Sequence, residues 1–175
     1  ELLSSIDEVE GTKTGAYVSF KTEENEQRLM KVGISYVSES QARKNLEAEL
    51  PAWDFDQVVA DARTDWNEWL SKIEVKGGTE VEQRRFYTDL WHALQGRRII
   101  RDVDGKYTDM TGSQKRTGQI PLGENGQPLF NHYNSDSFWG AQWTLNTLWH
   151  LVYPKVSEEF VKSMMQMYQD GGLIP

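Results

Sequence analysis

Four aspartates, Asp102, Asp104, Asp109 and Asp136, fall within one loop-rich stretch of the sequence. Paired carboxylates are what hydrolysis of a glycosidic bond requires: one protonated to release the leaving group, one to activate water or attack the ring carbon. Spacing along a loop does not set separation in space, and two of these residues have local alternatives. Asp104 before Gly105 suits a tight turn, and Asp136 before an apolar helical run suits an N-cap. Asp102-Val103-Asp104-Gly105 also has the opening of a calcium loop, without the remaining ligands or the closing Glu. His92, His132 and His150 stand apart, and no second His lies at helical ligand spacing. With no Cys in the chain there is no thiolate partner either, so a zinc centre is not expected. No G-x-S-x-G elbow and no glycine loop for phosphate is present, which leaves acyl and phosphoryl transfer without support.

A different chemistry is offered by Trp139 and Gln142. A flat ring beside an amide donor and acceptor can read a sugar, the ring against the apolar face of a pyranose and the amide against its hydroxyls. Against this stands plain packing, with Trp139 and Trp143 side by side one helical turn apart in the interior. Trp149, six residues after Trp143, falls well off that stripe.

These residues need elements to position them. Tyr17–Phe20 and Leu29–Val37 read as strands separated by a polar segment. Two strands cannot hide a sheet face, so further strands are expected from outside this sequence. Ser38 with Gln41 opens a helix that Pro51 stops. Asp54 caps a second, whose apolar face is Val58, Ala62, Trp66 and Trp69 with Val59, Leu70 and Ile73. Thr79 with Glu82 forms a capping box for a third, with Phe86, Leu90, Trp91 and Leu94 inward and Gly96 at its end. Ile99–Val103 is strand-like before the Asp104-Gly105 turn, and residues 108–133 form a long irregular loop, a length usually tied to function or disorder. Helical periodicity resumes at Ser137, runs to about Val152 and ends at Pro154; a last helix is expected over residues 157–169. The fold class is therefore mainly α with a small β part.

The chain of 175 residues is 38% hydrophobic and 26% charged, the balance of a globular protein with a proper core. Its net charge of −8 repels a phosphate backbone, so nucleic acid is not an expected partner. No apolar run approaches the roughly eighteen residues of a membrane span. Glu1 is not an initiator Met, and Gly171-Gly172-Leu173-Ile174-Pro175 reads as a loop leading onward; both ends are expected to be cut from a longer polypeptide.

Several blocks, in order, resemble the family 92 glycoside hydrolases. They begin with Val32-Gly33-Ile34-Ser35-Tyr36-Val37-Ser38, Ala42-Arg43-Lys44-Asn45-Leu46-Glu47-Ala48-Glu49 and Trp53-Asp54-Phe55-Asp56. They continue with Trp66-Asn67-Glu68, Ile73-Glu74-Val75, Phe86-Tyr87-Thr88, Trp91-His92 and Asp102-Val103-Asp104-Gly105-Lys106-Tyr107. The resemblance runs from about Tyr17 to the end. It implies an exo-acting, inverting, calcium-dependent alpha-mannosidase that trims mannose from glycans, with alpha-1,2 linkage as the default. It further implies a β-sandwich joined by a linker helix to an (α/α)6 barrel, with the active site between them. On that pattern residues 1–37 end the sandwich, 38–76 form linker helices and 77–175 start the barrel. The catalytic acid, the base and the calcium ligands are expected downstream, so no catalytic or metal residue is carried over. Trp139 and Gln142 are the substrate-binding candidates. One departure stands out: many members have Trp-Asp-Thr at the start of the barrel helix, and here Gly140 and Ala141 follow Trp139. The expected partners are mannose-containing glycans and the remainder of the parent polypeptide, and the expected location is the bacterial periplasm or cell exterior. A non-catalytic carbohydrate-binding or helical interaction module is the alternative, which Gly140 favours.

Overall fold

The computed structural model describes residues 17–109, 111, 113–134 and 138–172, with the backbone alone for Phe138 and Trp139. Asp136 lies outside the described residues. The chain divides between Met30 and Lys31 into two compact units.

In the first unit, residues 17–30 are exposed and turn back at Asn25, whose φ is 63°. Arg28 reaches the Lys21 carbonyl at 3.2 Å and pairs with Glu26 at 2.5 Å. No strand forms at Tyr17–Phe20, contrary to the sequence expectation. An isolated hairpin offers too little burial to hold a ladder, and no third strand covers it among the described residues.

The second unit opens with residues 31–37, which bend at Tyr36 and Val37 and likewise have no strand partner among the described residues. Its burial alternates: Val32, Ile34 and Tyr36 are 63%, 70% and 63% exposed, while the residues between them turn inward. This is a strand's period of two with the apolar face left to solvent. The inward side presses on helix α1 (Glu39–Glu49) through Gly33. A Cβ there would lie 2.4 Å from the Ala42 carbonyl oxygen, so only glycine permits the approach.

Three N-caps read from the sequence are present. Ser38, Asp54 and Thr79 accept from the backbone of Gln41, Gln57 and Glu82 and start α1, α2 (Phe55–Leu70) and α3 (Glu80–Leu94). Thr79 and Glu82 complete the capping box, and the hydrogen bonds from the Thr79 backbone and side chain hold the Glu82 carboxyl below its ordinary range. Helix α2 partly buries its C-terminal half, with Trp66, Trp69 and Leu70, and Ile73 just beyond it, against the core while Val58 remains 39% exposed.

The small sheet lies later than expected. Strand β1 (Lys106–Asp109) pairs antiparallel with β2 (Arg116–Gln119), Lys106 opposite Gln119 and Asp109 opposite Arg116. The Asp104-Gly105 turn does form, with Gly105 at φ 84° and its N–H bonded to the Asp102 carbonyl at 2.9 Å. Ile99 instead bridges Tyr133, so residues 98–100 pair with 132–134.

The single helix expected from Ser137 to Val152 is broken into α4 (Phe138–Ala141) and α5 (Leu145–Val152) by a turn over residues 142–144. Gly140, Trp143 and Thr144 are poor helix formers, which weakens the join. Pro154 does not end structure: it occupies the first turn of α6 (Pro154–Gly171), where a missing N–H costs nothing. Ser157, the expected start of the last helix, lies inside α6 and is buried. The core joins Leu90 and Leu94 of α3, Trp149 of α5, Val156 and Phe160 of α6, and Tyr133 and Tyr153. Trp69 stacks on Tyr153 at 5.4 Å, and the Tyr153 hydroxyl donates to the Trp69 carbonyl at 3.0 Å.

Candidate functional site

The residues proposed for sugar contact lie on the segment 134–146. Trp139 sits in the short helix α4, but its side chain lies outside the described residues. Gln142 is solvent-exposed in the turn that follows. Trp143 is 74% exposed, so the interior packing of Trp139 against Trp143 fails for Trp143. A Cβ built on Gly140 meets nothing within 4 Å. Its lack of a side chain is therefore not required by packing, and space for an acidic residue exists there.

The described aspartates serve the architecture. Asp102, 3% exposed, accepts from Ser35 Oγ at 2.9 Å and Asn45 Nδ2 at 2.8 Å. Asn45 also donates to the Ile34 carbonyl at 2.9 Å and accepts from Val103 N–H at 2.9 Å. Asp104 accepts from Gln41 at 3.1 Å and Lys44 at 3.2 Å. Burial alone would raise the Asp104 pKa, but the Gln41, Lys44 and Lys106 contacts bring it below the ordinary value. Asp109, 5% exposed, pairs with Arg116 at 2.5 Å and accepts from Thr111, and these contacts likewise outweigh burial to depress its pKa. Each carboxylate is already met by donors, the opposite of a cation cage, and no group of three acidic, His or Cys residues fit to hold a metal occurs among the described residues. The described residues therefore do not fit a calcium site.

The histidines do not converge. His92 is exposed beside Trp91, and His150 is exposed with Nδ1 on the Asn146 carbonyl at 2.5 Å. His132 is 2% exposed against the Tyr107 ring at 4.3 Å, and burial pushes its pKa down to about 4 despite Asp170 and Asp109 nearby.

Sequence reasoning missed the groups that hold Asn131, Tyr133 and Asn146 in place. On α6, Glu159 accepts from Asn131 at 2.9 Å and from the Tyr133 hydroxyl at 3.3 Å. One turn on, Ser163 Oγ accepts from Tyr133 N–H at 2.9 Å. Burial and the Glu159 charge push the Tyr133 hydroxyl up to about 12, so it stays protonated and donates. The available signal was a Glu and a Ser at i, i+4 on the stripe that also carries Val156 and Phe160. On the other side Arg97 Nη2 donates to Asn146 Oδ1.

Two cavities flank these anchors. One, about 480 Å³, is lined by Trp66, Trp69, Leu94, Arg97, Tyr133 and Trp149. The other, about 680 Å³, is lined by Ser35, Asn45, Arg101, Asp102, Thr108 and Asn134 among others. Gln142 lines neither.

Residues 41–175 match the model of the glycosyl hydrolase family 92 catalytic domain. The chain is 33% identical over 127 residues to a protein of Arthroderma benhamiae described as an uncharacterized secreted glycosidase, covering 69% of this chain and 14% of that protein. Its fold is similar to that of a family 92 inverting mannosidase from Bacteroides thetaiotaomicron, with a TM-score of 0.67 and 27% identity over 81% of this chain and 18% of that one. A second family 92 glycosyl hydrolase shares the fold at a TM-score of 0.64 and 22% identity, over 78% of this chain and 17% of that one. The chain thus spans less than a fifth of the length of each of these proteins.

Proposed function

The chain belongs to glycosyl hydrolase family 92, and on that premise we propose that it is part of an exo-acting alpha-mannosidase that trims mannose from glycans by inversion, with calcium as cofactor. The observation that carries this reading is the match of residues 41–175 to the family's catalytic domain, together with the fold shared with an inverting mannosidase. Residues 1–37 are assigned to a β-sandwich, 38–76 to the linker and 77–175 to the first helices of an (α/α)6 barrel. The solvent-facing apolar side of residues 31–37 supports the first assignment, because a strand so patterned is completed by a neighbouring layer. Trp139 and Gln142 meet the sugar. The acid, the base and the calcium ligands come from residues outside this sequence, since Asp102, Asp104 and Asp109 are engaged in internal bonds. Alpha-1,2 is the default linkage and the location is periplasmic or secreted, the second supported by the description of the Arthroderma benhamiae relative as secreted. No helix among the described residues is long and apolar enough to cross a membrane.

The engaged aspartates favour a second reading for the 175 residues alone, that of a sugar-binding module without hydrolysis. The test is hydrolysis of an alpha-1,2-mannobiose by the parent polypeptide, followed by NMR of the first-formed anomer. Beta-mannose and loss of rate on chelation are expected, with no turnover by the isolated chain. Alpha-mannose as the first product, or full rate in excess chelator, removes inversion or calcium respectively; no hydrolysis by the parent removes the mannosidase.

A further inference from the structure

Three sites in the sequence place an Asp or Asn directly before glycine: Asp104-Gly105, Asn125-Gly126 and Asp170-Gly171. A glycine at the second position leaves its backbone nitrogen without a Cβ beside it. That nitrogen can then approach the side-chain carbonyl carbon of the residue before and close a five-membered ring. The three sites differ in what holds them. Asp104 accepts from Gln41 at 3.1 Å and Lys44 at 3.2 Å, and Asp170 accepts from the Tyr107 hydroxyl at 2.5 Å and Gln166 at 3.2 Å. Asn125 is exposed in the loop between Leu122 and Pro128, which bridge antiparallel. Its Oδ1 accepts from the Gln127 N–H at 3.1 Å, and its Nδ2 has no acceptor among the described residues.

We propose that Asn125 is a site of spontaneous covalent modification, where the Gly126 backbone nitrogen and water turn the side-chain amide into an acid. Gly126, at φ 74°, is exposed, and a Cβ there would meet nothing within 4 Å, so solvent base reaches the turn. One bond must open first: the Gly126 N–H donates to the Gly123 carbonyl at 2.9 Å. A lone turn bond in water opens at little cost. Base then takes the proton and the nitrogen attacks Asn125 Cγ. The Gln127 N–H, already on Oδ1, meets the negative charge that develops there. The N–Cγ bond forms, the Cγ–Nδ2 bond breaks, and ammonia leaves with a proton from water. Water next opens the cyclic imide. Cutting at Cγ gives Asp at position 125, and cutting at the backbone carbonyl of the same residue gives an isoaspartyl link. Either product adds one negative charge to a chain already at −8, and neither step oxidises or reduces anything. Asp104 and Asp170 do not follow, because an ionised carboxylate is a poor target for a nucleophile and both are held by donors.

The experiment incubates the folded chain in mildly alkaline buffer and follows the tryptic peptide covering residues 117–155 by mass spectrometry, with fragment spectra locating each gained acid. Asn125 should lose its amide first, with the isoaspartyl form ahead of the Asp form. Asn131, which precedes His132 in the same peptide, should keep its amide. Gly126→Ala should slow the loss about tenfold, a barrier change of ~1.4 kcal/mol from a Cβ crowding the attack. Asn125→Gln, whose extra methylene makes the ring six-membered, should stop it, and serves if Gly126→Ala does not fold. An amide kept at Asn125 in the folded chain overturns the proposal. So does conversion seen only in urea, which would mean that the Gly123 carbonyl holds the Gly126 nitrogen back. Gly126→Ala converting as fast as the unmodified chain overturns the route through that nitrogen, and equal conversion of Asn131 overturns the selectivity of the turn.

Discussion

Two parts of the unit after Met30 are held by different forces. The helical part closes on apolar surface: Trp149 at 1% exposure, Tyr153 at 2%, and Leu90, Leu94 and Phe160 at 6% each. The loop part, residues 98–134, closes on polar bonds between residues far apart in sequence. Asp102 reaches Asn45 across 57 positions and Ser35 across 67, Thr108 donates to the Tyr36 carbonyl across 72, and Tyr107 donates to Asp170 across 63. Apolar contact is non-directional and tolerates adjustment, whereas a buried polar knot fails when one member leaves its partners unsatisfied. The loop that leads into the candidate sugar segment is thus fixed by the more brittle of the two.

The comparison breaks first at Trp149. Trp149→Ala should lower unfolding free energy by about 3–5 kcal/mol, the range for large-to-small core changes. A urea melt showing less than about 1 kcal/mol would mean that the indole is not part of the helical core. Next in size is Asp102→Ala, which leaves one Asn45 Nδ2 hydrogen and the Ser35 hydroxyl without their acceptor. A loss of about 2–3 kcal/mol is expected, set by desolvated donors rather than by lost volume. If Asp102→Ala melts like the unmodified chain while Trp149→Ala does not, the loop part is not held by the polar knot.

These two parts were not equally legible in the sequence. The helices announced themselves because a cap and a 3.6-residue period are local: Ser38, Asp54 and Thr79 each began a helix, and Leu90 and Leu94 faced inward as their spacing required. The loop gave turn residues but no partners. Nothing near Asp102 in sequence points to Asn45, so its role as a buried hub had no local signal. The same holds for Glu159 with Asn131 and for Arg97 with Asn146. Where local signals misled, competing chemistry explains it: Pro154 reads as a stop but is equally suited to a first helical turn, and Gly140 lies inside an otherwise periodic helix. Of the candidate site, Trp139 and Gln142 remain a proposal from sequence, and the long-range bonds at Asn134 and Asn146 had no local signal.

Acid should separate the two parts by a gentler route. The folded pKa of His132, about 4, lies below its ordinary value of 6.5 because burial disfavours the charged ring. The neutral form is therefore the one that folding prefers, and its contribution is complete above about pH 6.5. As pH falls from there towards about 4 the unfolded chain takes up the proton first, and stability should drop by up to roughly 1.4 kcal/mol per pH unit. Below that window the depressed carboxylates of Asp104 and Asp109 take over, as they too become protonated. Melts of His132→Gln between pH 4 and pH 7 should show a flatter slope than the unmodified chain. Parallel slopes would mean that His132 is not the titrating group.

The smallest effect belongs to Trp143, and it is informative because it repeats the first substitution six residues away. Trp143 is 74% exposed in the turn between α4 and α5, and Trp149 is 1% exposed in α5 itself. The two share a side chain, a neighbourhood in sequence and a volume, and differ in what surrounds them. An exposed ring gains little transfer free energy on folding, so Trp143→Ala should change stability by no more than about 0.5 kcal/mol. A loss approaching that of Trp149→Ala would place Trp143 in a packed interior, restore the side-by-side arrangement of Trp139 and Trp143, and with it remove the reason for holding the 134–146 segment open towards a sugar.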